Sequence, residues 1–322
     1  MATQTIGTGG DQPDWATWEA TLGSLAANET GAQLDEELTI AATIGVDGIT
    51  LNGHTLTMTA GTGNSFVDNM DPTTDAVTYD ATKGAAIKAT AFMGGLIDTT
   101  VPMTISRLQG SFSNGAYDKD LLKLRAACTV DQMIVLAAAS TSGNGRIIQA
   151  TQGGGSTVQR SLLIGQGNYT GVETAAVNYF NCGFINTAGG TGKTGIFEYG
   201  GSPTVKNCYA LGFSAASANT ANAASANNAC TNASFGGTNY NGGTPVTSVV
   251  GADALTSFTG AADARLKTGS VLIAAGTSSG APATDMFGQS WNGGTPDIGP
   301  VRAAAAGGGG SKLLLHLLHN GA

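Results

Sequence analysis

The chain has 322 residues, of which 49 are glycine and only 11% are charged, with a formal net charge of -8 and a pI near 4.7. Glycine in that amount, with Ala, Thr, Ser and Asn making up much of the rest, excludes a helical bundle, and 14 dispersed basic residues exclude the clustered Lys and Arg that nucleic-acid binding needs. No apolar run approaches the roughly 20 residues that cross a bilayer, the opening Met1-Ala-Thr-Gln lacks the regions of a secretory signal, and four cysteines in so long a chain do not read as a disulfide scaffold.

Taken in chain order, the segment 11–25 reads as the best helix: Pro13 suits a first turn and acids sit near the positive end of the dipole. Trp15, Trp18, Leu22 and Leu25 fall on one face. A short helix with two tryptophans on its buried stripe must cover something apolar, and the open end of a strand stack is the expected place, so it is read as an N-terminal lid. From about residue 38 the pattern changes to short apolar runs at 38–44, 49–58, 134–137, 146–149, 161–164, 177–180 and 195–198, separated by Gly, Asn and Asp turns. These are expected strands. Between about 30 and 300, only 120–125 hints at helix.

An imperfect repeat organises the middle of the chain: Asn181-Cys-Gly-Phe184 recurs as Asn207-Cys-Tyr-Ala-Leu-Gly-Phe213 and, degraded, as Asn228-Ala-Cys230. Cys182 to Cys208 is 26 residues, Cys208 to Cys230 is 22, and Cys128 to Cys182 is 54, or two steps of 27. Periods of that size mark solenoids, whose units stack because none can bury its own face. The expected fold is therefore all-β, a single right-handed parallel β-helix with a short N-terminal capping helix and a flexible C-terminal tail. Cys128, Cys182, Cys208 and Cys230, with Asn181 and Asn207, are the expected structural ladder, since equivalent positions of successive coils lie about 4.8 Å apart. Stacked Asn side chains pass hydrogen bonds along the axis and buried Cys fills the interior.

Chemistry is harder to find. Gly189-Gly-Thr-Gly-Lys-Thr194 resembles the end of a phosphate-binding loop, but Thr187 replaces the first glycine and no helix pattern follows. Gly276-Thr-Ser-Ser-Gly280 fits G-x-S-x-G, yet the histidines are only His54, His316 and His319. Between 132 and 250 the carboxylates are Glu173 and Glu198, too few for an acid-rich glycan-cleaving groove, although Glu198 beside Tyr199 and Lys193 is a sugar-binding candidate. Asp68, Asp71 and Asp75 lack the glycine and distal glutamate of an EF-hand and read as a polar turn. No catalytic residue, cofactor or metal is expected. After Arg302 comes an Ala/Gly linker at 303–311 and an apolar segment at 312–322, where Leu314, Leu317 and Leu318 make an L-x-x-L-L face. About ten residues are too few for a stable lone helix, so this face is read as a partner anchor; the linker equally resembles an engineered fusion.

These residues together resemble right-handed β-helix proteins of tailed bacteriophages and marine bacteria. The resemblance covers most of the chain, from Thr5-Ile-Gly-Thr-Gly-Gly-Asp11 with Trp15-Ala-Thr-Trp18, through Thr204-Val-Lys-Asn-Cys208 and Asn228-Ala-Cys-Thr-Asn-Ala-Ser234. It closes with the run from Ala264 to Gly276 and with Asp285-Met-Phe-Gly288 leading to Asp297-Ile-Gly299. The closing residues are similar to the family's final coils, in which an acid usually stands in place of Ala274. The organisation expected is a strand and capping helix at 1–30, a β-helix body with irregular final coils at 31–302, the linker and the anchor. The resemblance implies a phage virion structural protein, not an enzyme: a capsid decoration protein, head fibre or tail spike on the particle surface, assembled in the host bacterial cytoplasm. Its implied partners are other virion subunits, further copies of itself with a trimer favoured, and a host surface glycan, with neither nucleic acid nor membrane. A polysaccharide depolymerase or lyase and a bacterial surface adhesin are the alternatives.

Overall fold

The computed structural model describes residues 2–90, 96–112, 120–137, 145–150, 155–166, 169–174, 177–188, 194–198, 202–218, 221, 223–232 and 246–304. The fold is mostly β, with three parallel sheets of eight, eight and seven strands, and few helices. The first sheet holds Ala2–Ile6, Glu29–Gln33, Leu56–Ala60, Thr104–Ser106, Thr129–Asp131, Thr157–Gln159, Asn178–Phe180 and Val205–Lys206. The second holds Glu37–Ile40, Ala86–Ala89, Gln109–Phe112, Ile134–Ala137, Leu162–Gly165, Gly183–Asn186, Tyr209–Leu211 and Ala229–Cys230. The third holds Ile44–Val46, Ile97–Thr99, Asp120–Leu124, Gly145–Ala150, Tyr169–Thr174, Thr194–Glu198 and Ala215–Ala218. From Glu29 onward the chain visits first, second and third sheet in rotation, so each strand pairs with its counterpart one circuit away.

Alternation explains the first sheet. Met58, Ile105, Val130, Val158, Tyr179 and Val205 share one register column and are buried, while the residues on either side of each are half-exposed. These inward side chains join Val135, Leu163 and Phe184 of the second sheet and Leu122, Ile148 and Ile196 of the third in one apolar cluster. The second sheet is different. Its other face carries Ile134, Leu162, Ile164, Ile185, Tyr209 and Leu211, which belong to a separate cluster formed with Phe66, Val77, Leu272, Met286 and Ile298. A strand buried on both faces reads as a continuous apolar run, which is why these segments show no alternation.

The helix over 11–25 is shorter than its sequence pattern: only Trp15–Thr21 is helical. Asp14, accepting from the Thr17 amide at 2.7 Å, is the N-cap, so Pro13 precedes the helix and is not in its first turn. Leu22 is the C-cap and Leu25 lies beyond, its amide bonded to Thr50 O. Trp15 and Trp18 are fully buried, edge to face at 5.3 Å, above Gly31. A Cβ at Gly31 would lie 2.5 Å from the Trp15 ring, so the tryptophans close on this rung only because the side chain is absent. The helical hint at 120–125 is wrong. Asp120–Leu124 is a strand, paired on one side with Ile97–Thr99 and on the other with Gly145–Ala150, and that pairing overrides local propensity.

The described residues of 246–304 add no strand to the three ladders; Val246 makes one isolated bridge to Ala229. The run from Ala264 to Gly276, read as final coils, instead lies in a layer over the second sheet. Together 61–85 and 246–304 form one cover: Phe66 meets Phe287 at 6.0 Å, and the Val77 amide donates to Asp263 Oδ1 at 2.9 Å.

Candidate functional site

From Thr104–Ser106 onward, the turn out of the first sheet into the second repeats an unusual backbone. Arg107, Gln132, Arg160, Asn181, Asn207 and Asn227 occupy equivalent positions there, and all have φ between 46° and 57°. Asn tolerates this left-handed region better than most residues, which accounts for the Asn repeat. Asn207 Nδ2 donates to Asn181 Oδ1 at 3.3 Å, so the two stack directly.

Apart from the pairing of Arg160 with Asp131 on the neighbouring strand, the remaining side-chain bonds of the column leave the sheets. Asn181 Nδ2 donates to Asp297 O and Gly299 O, each at 3.3 Å. Asn207 clamps Thr277, donating to its carbonyl at 2.8 Å and accepting from its amide at 2.7 Å. Asn227 Nδ2 donates to Ala275 O, Gln132 Nε2 to Met286 O, and Arg160 Nη1 to Thr284 Oγ1. Arg107 pairs with Asp68 at 2.8 Å, in the other covering segment. A line of corners thus ties the outer layer to the stack along most of its length, and sequence reasoning found only its two best-matched members. Arg107, Gln132 and Arg160 share no residue type with the asparagines; their signal is position, immediately after a Thr-x-x strand and before a buried residue.

The cysteines do not form one ladder. Cys182 and Cys208 are equivalent and stacked, with the Cys182 amide 3.4 Å from Cys208 Sγ, and Asn228 occupies the next step, accepting from the Cys208 amide at 3.0 Å. Cys230 lies two residues further on, in the interior column of Phe184 and Ala210. Cys128 precedes a first-sheet strand, and its equivalent is Ser156, whose hydroxyl accepts from the Cys128 amide at 2.9 Å. Register partners on neighbouring strands lie from 20 residues apart, Tyr209 to Ala229, to 53, Ile44 to Ile97, so spacing alone misplaced these two. All four are buried free thiols. Burial raises the thiols of Cys128 and Cys208 above their ordinary range and pushes that of Cys230 up to about 11.

Three buried acids hold the outer layer. Asp297 accepts from the amides of Ala274 and Ala303, both at 2.6 Å, so the carboxylate at this place comes from position 297 and bonds the backbone of Ala274. Asp285 accepts from the amides of Phe287, Gln289 and Arg302, yet burial outweighs those bonds and raises its pKa. Asp263 holds Val77 and Arg265. On the third sheet Arg125 grips Asp98 with two bonds of 2.7 Å, and Arg146 and Lys123 flank Asp120 at 3.3 and 3.6 Å; on the first, Arg160 pairs with Asp131. Asp68, Asp71 and Asp75 cap their own turns and meet Arg107 and Lys83.

No group of three or more His, Cys, Asp or Glu placed to hold a metal occurs among the described residues. The side chains of Glu173 and Glu198 lie outside the described residues, as do Lys193, Tyr199 and most of the Gly189–Thr194 string. So do Leu314, Leu317, Leu318 and the linker from 305. A cavity of about 240 Å³ lies among Val246–Val250, Asp253, Ala254 and Gly269–Val271, with Val250 and Val271 exposed at its rim. No described helix is long and apolar enough to cross a membrane. No family model, curated protein or solved structure matches this chain.

Proposed function

We propose that the three sheets are the faces of one right-handed parallel β-helix, and that the protein is a structural display scaffold on the surface of a tailed-phage particle. The right hand follows from the near-universal preference of parallel crossovers. The observation that carries the scaffold reading is where the polar chemistry goes: the corner column and the buried acids Asp263, Asp285 and Asp297 bond strand corners and backbone of the protein itself. The resemblance of the opening and closing residues to phage β-helix proteins supports the virion setting. In that setting its partners are neighbouring virion subunits and further copies, a trimer first, with a host glycan as a further contact and 312–322 as an anchor.

Mass spectrometry of purified particles tests this. The protein is expected at high copy number, and its absence from particles overturns the proposal. Depolymerisation of a capsular polysaccharide that is lost in Glu198→Gln would instead establish the enzyme alternative.

A further inference from the structure

The outward face of the first sheet carries an uninterrupted file of threonines. Thr3, Thr30, Thr57, Thr104, Thr129 and Thr157 are register partners on six consecutive strands, followed by Asn178. Thr3 is exposed and the other five are half-exposed, as flat sheet side chains are when each rests against its neighbours. No other protein group among the described residues takes up these six hydroxyls. The strands pair in parallel without a register shift, which sets the file at about 4.8 Å per step and about 24 Å from end to end. Threonine is stiff at χ1, so the hydroxyls and methyls repeat with the backbone.

A second file lies two residues along, about 6.7 Å away. It holds Thr5, Ala32, Thr59 and Ser106 before giving way to Asp131 and Gln159. Thr5 is engaged by Asp11, and Ser106 donates to Thr59 at 3.1 Å. Over the first four strands neither file itself holds a charge or an aromatic ring; the charges beside them are Asp11, bonded to Thr5, and Arg107, paired with Asp68, and within the second file charge begins at Asp131. The outer layer covers the second sheet and leaves this one open.

The geometry points to ice as the partner of this face: a crystal surface of ordered water bound along the threonine file. A glycan site draws its affinity from aromatic platforms and charged or amide groups, which the two files lack over these four strands. What they offer is an in-register array of hydroxyls and methyls whose step is close to the repeat of water oxygens along a prism face of hexagonal ice. One hydroxyl binds water no better than water does. Many held in step bind a lattice, because the ordering entropy is already met by the fold.

The inference stands apart from the virion reading and is tested separately. The full chain is mixed with a non-binding control protein and a slowly growing ice front is passed through the solution. The chain is expected to enrich in the ice over the control and to arrest recrystallisation of fine ice. Thr57→Tyr with Thr104→Tyr keeps strand propensity and breaks the file, and is expected to lower partition into ice at least tenfold with an unchanged circular dichroism spectrum and melting temperature. Gln149→Tyr, on the third sheet, is expected to leave partition as it is. If the melting temperature falls, Thr57→Ser with Thr104→Ser, which removes only the methyls, is read in its place and is expected to weaken partition. Exclusion of the full chain from ice overturns the inference, as does retention by the threonine variants equal to that of the unaltered chain. Binding to an insoluble polysaccharide that the threonine variants lose, with no enrichment in ice, assigns the face to a glycan and equally overturns it.

Discussion

Replacing Asn207 tests whether the corner column holds the outer layer. The residue is fully buried, sits at φ 54°, and closes two bonds of 2.8 and 2.7 Å on Thr277 with a weaker one to Asn181. Asn207→Ala removes the Thr277 clamp, about 1 kcal/mol for each of two bonds, and puts a less tolerant residue in the left-handed region for roughly 1 more. The expected loss is about 3 kcal/mol. Asn207→Asp is nearly isosteric and keeps the acceptor for the Thr277 amide, yet it turns an oxygen toward the Thr277 carbonyl. The new carboxyl is buried without a cation, so its folded pKa rises above the unfolded value. Stability tied to it is present at low pH and lost as pH rises through the folded pKa, so this variant is expected to be the weaker of the two at pH 7 and to recover on acidification. Guanidinium unfolding gives the free energies, and hydrogen exchange at the Gly276, Thr277 and Gly299 amides reports the outer layer locally. A loss under about 1 kcal/mol in Asn207→Ala, or an Asp variant as stable as the unaltered chain at pH 7, refutes the reasoning.

Gly31→Ala places a Cβ 2.5 Å from the Trp15 ring and 2.9 Å from Trp18, and overpacking of this kind is expected to cost roughly 1–3 kcal/mol, read in the unfolding midpoint and a shifted tryptophan emission. Asp297→Ala leaves the Ala274 and Ala303 amides without their acceptor and is expected to open 246–304 to limited proteolysis while the stack stays intact; simultaneous loss of both would show that the layers do not separate. Burial raises the pKa of Asp285, so the stability tied to it is fully present below the ordinary carboxylate range and falls as pH rises through the raised value. Asp285→Asn is expected to remove that slope, and identical pH profiles for the two proteins would contradict the assignment.

The strand content, the stacking and the corner asparagines were legible in the sequence because each has a local signature. Short β-branched runs mark strands, a recurrent Asn-Cys pair marks an equivalent corner, and a Trp-Ala-Thr-Trp run marks a short helix with a buried face. The cysteine arithmetic failed for Cys128 and Cys230 because the spacing has no fixed length: the segments between strands differ from one to the next while the strands keep register. Asp120–Leu124 was misread because its leucines face one core from a strand whose neighbours are supplied about 26 residues away on either side. The outer layer was illegible. It lacks a period, and Asn181 meets Asp297 across 116 residues, a separation at which no pattern in a single chain indicates pairing.

That layer also explains how the three parallel sheets present unlike surfaces. A strand in such a stack has an inner face fixed by the core, and only its outer face is free to differ. On the first sheet the outer face is hydroxylic and uncharged over four strands, and on the third it is stitched by Arg125 to Asp98 and Arg146 to Asp120 across successive circuits. On the second it is polar at Glu37, Lys88 and Gln109, then apolar from Ile134 to Leu211. The switch falls where 61–85 gives way to 246–304 as the cover. An apolar outer face would otherwise be an exposed patch and an invitation to aggregate, so the sequence of the second sheet and that of the covering segment constrain each other. The first and third sheets carry no such constraint, which leaves them as the faces on which surface chemistry can vary while the stack beneath stays the same.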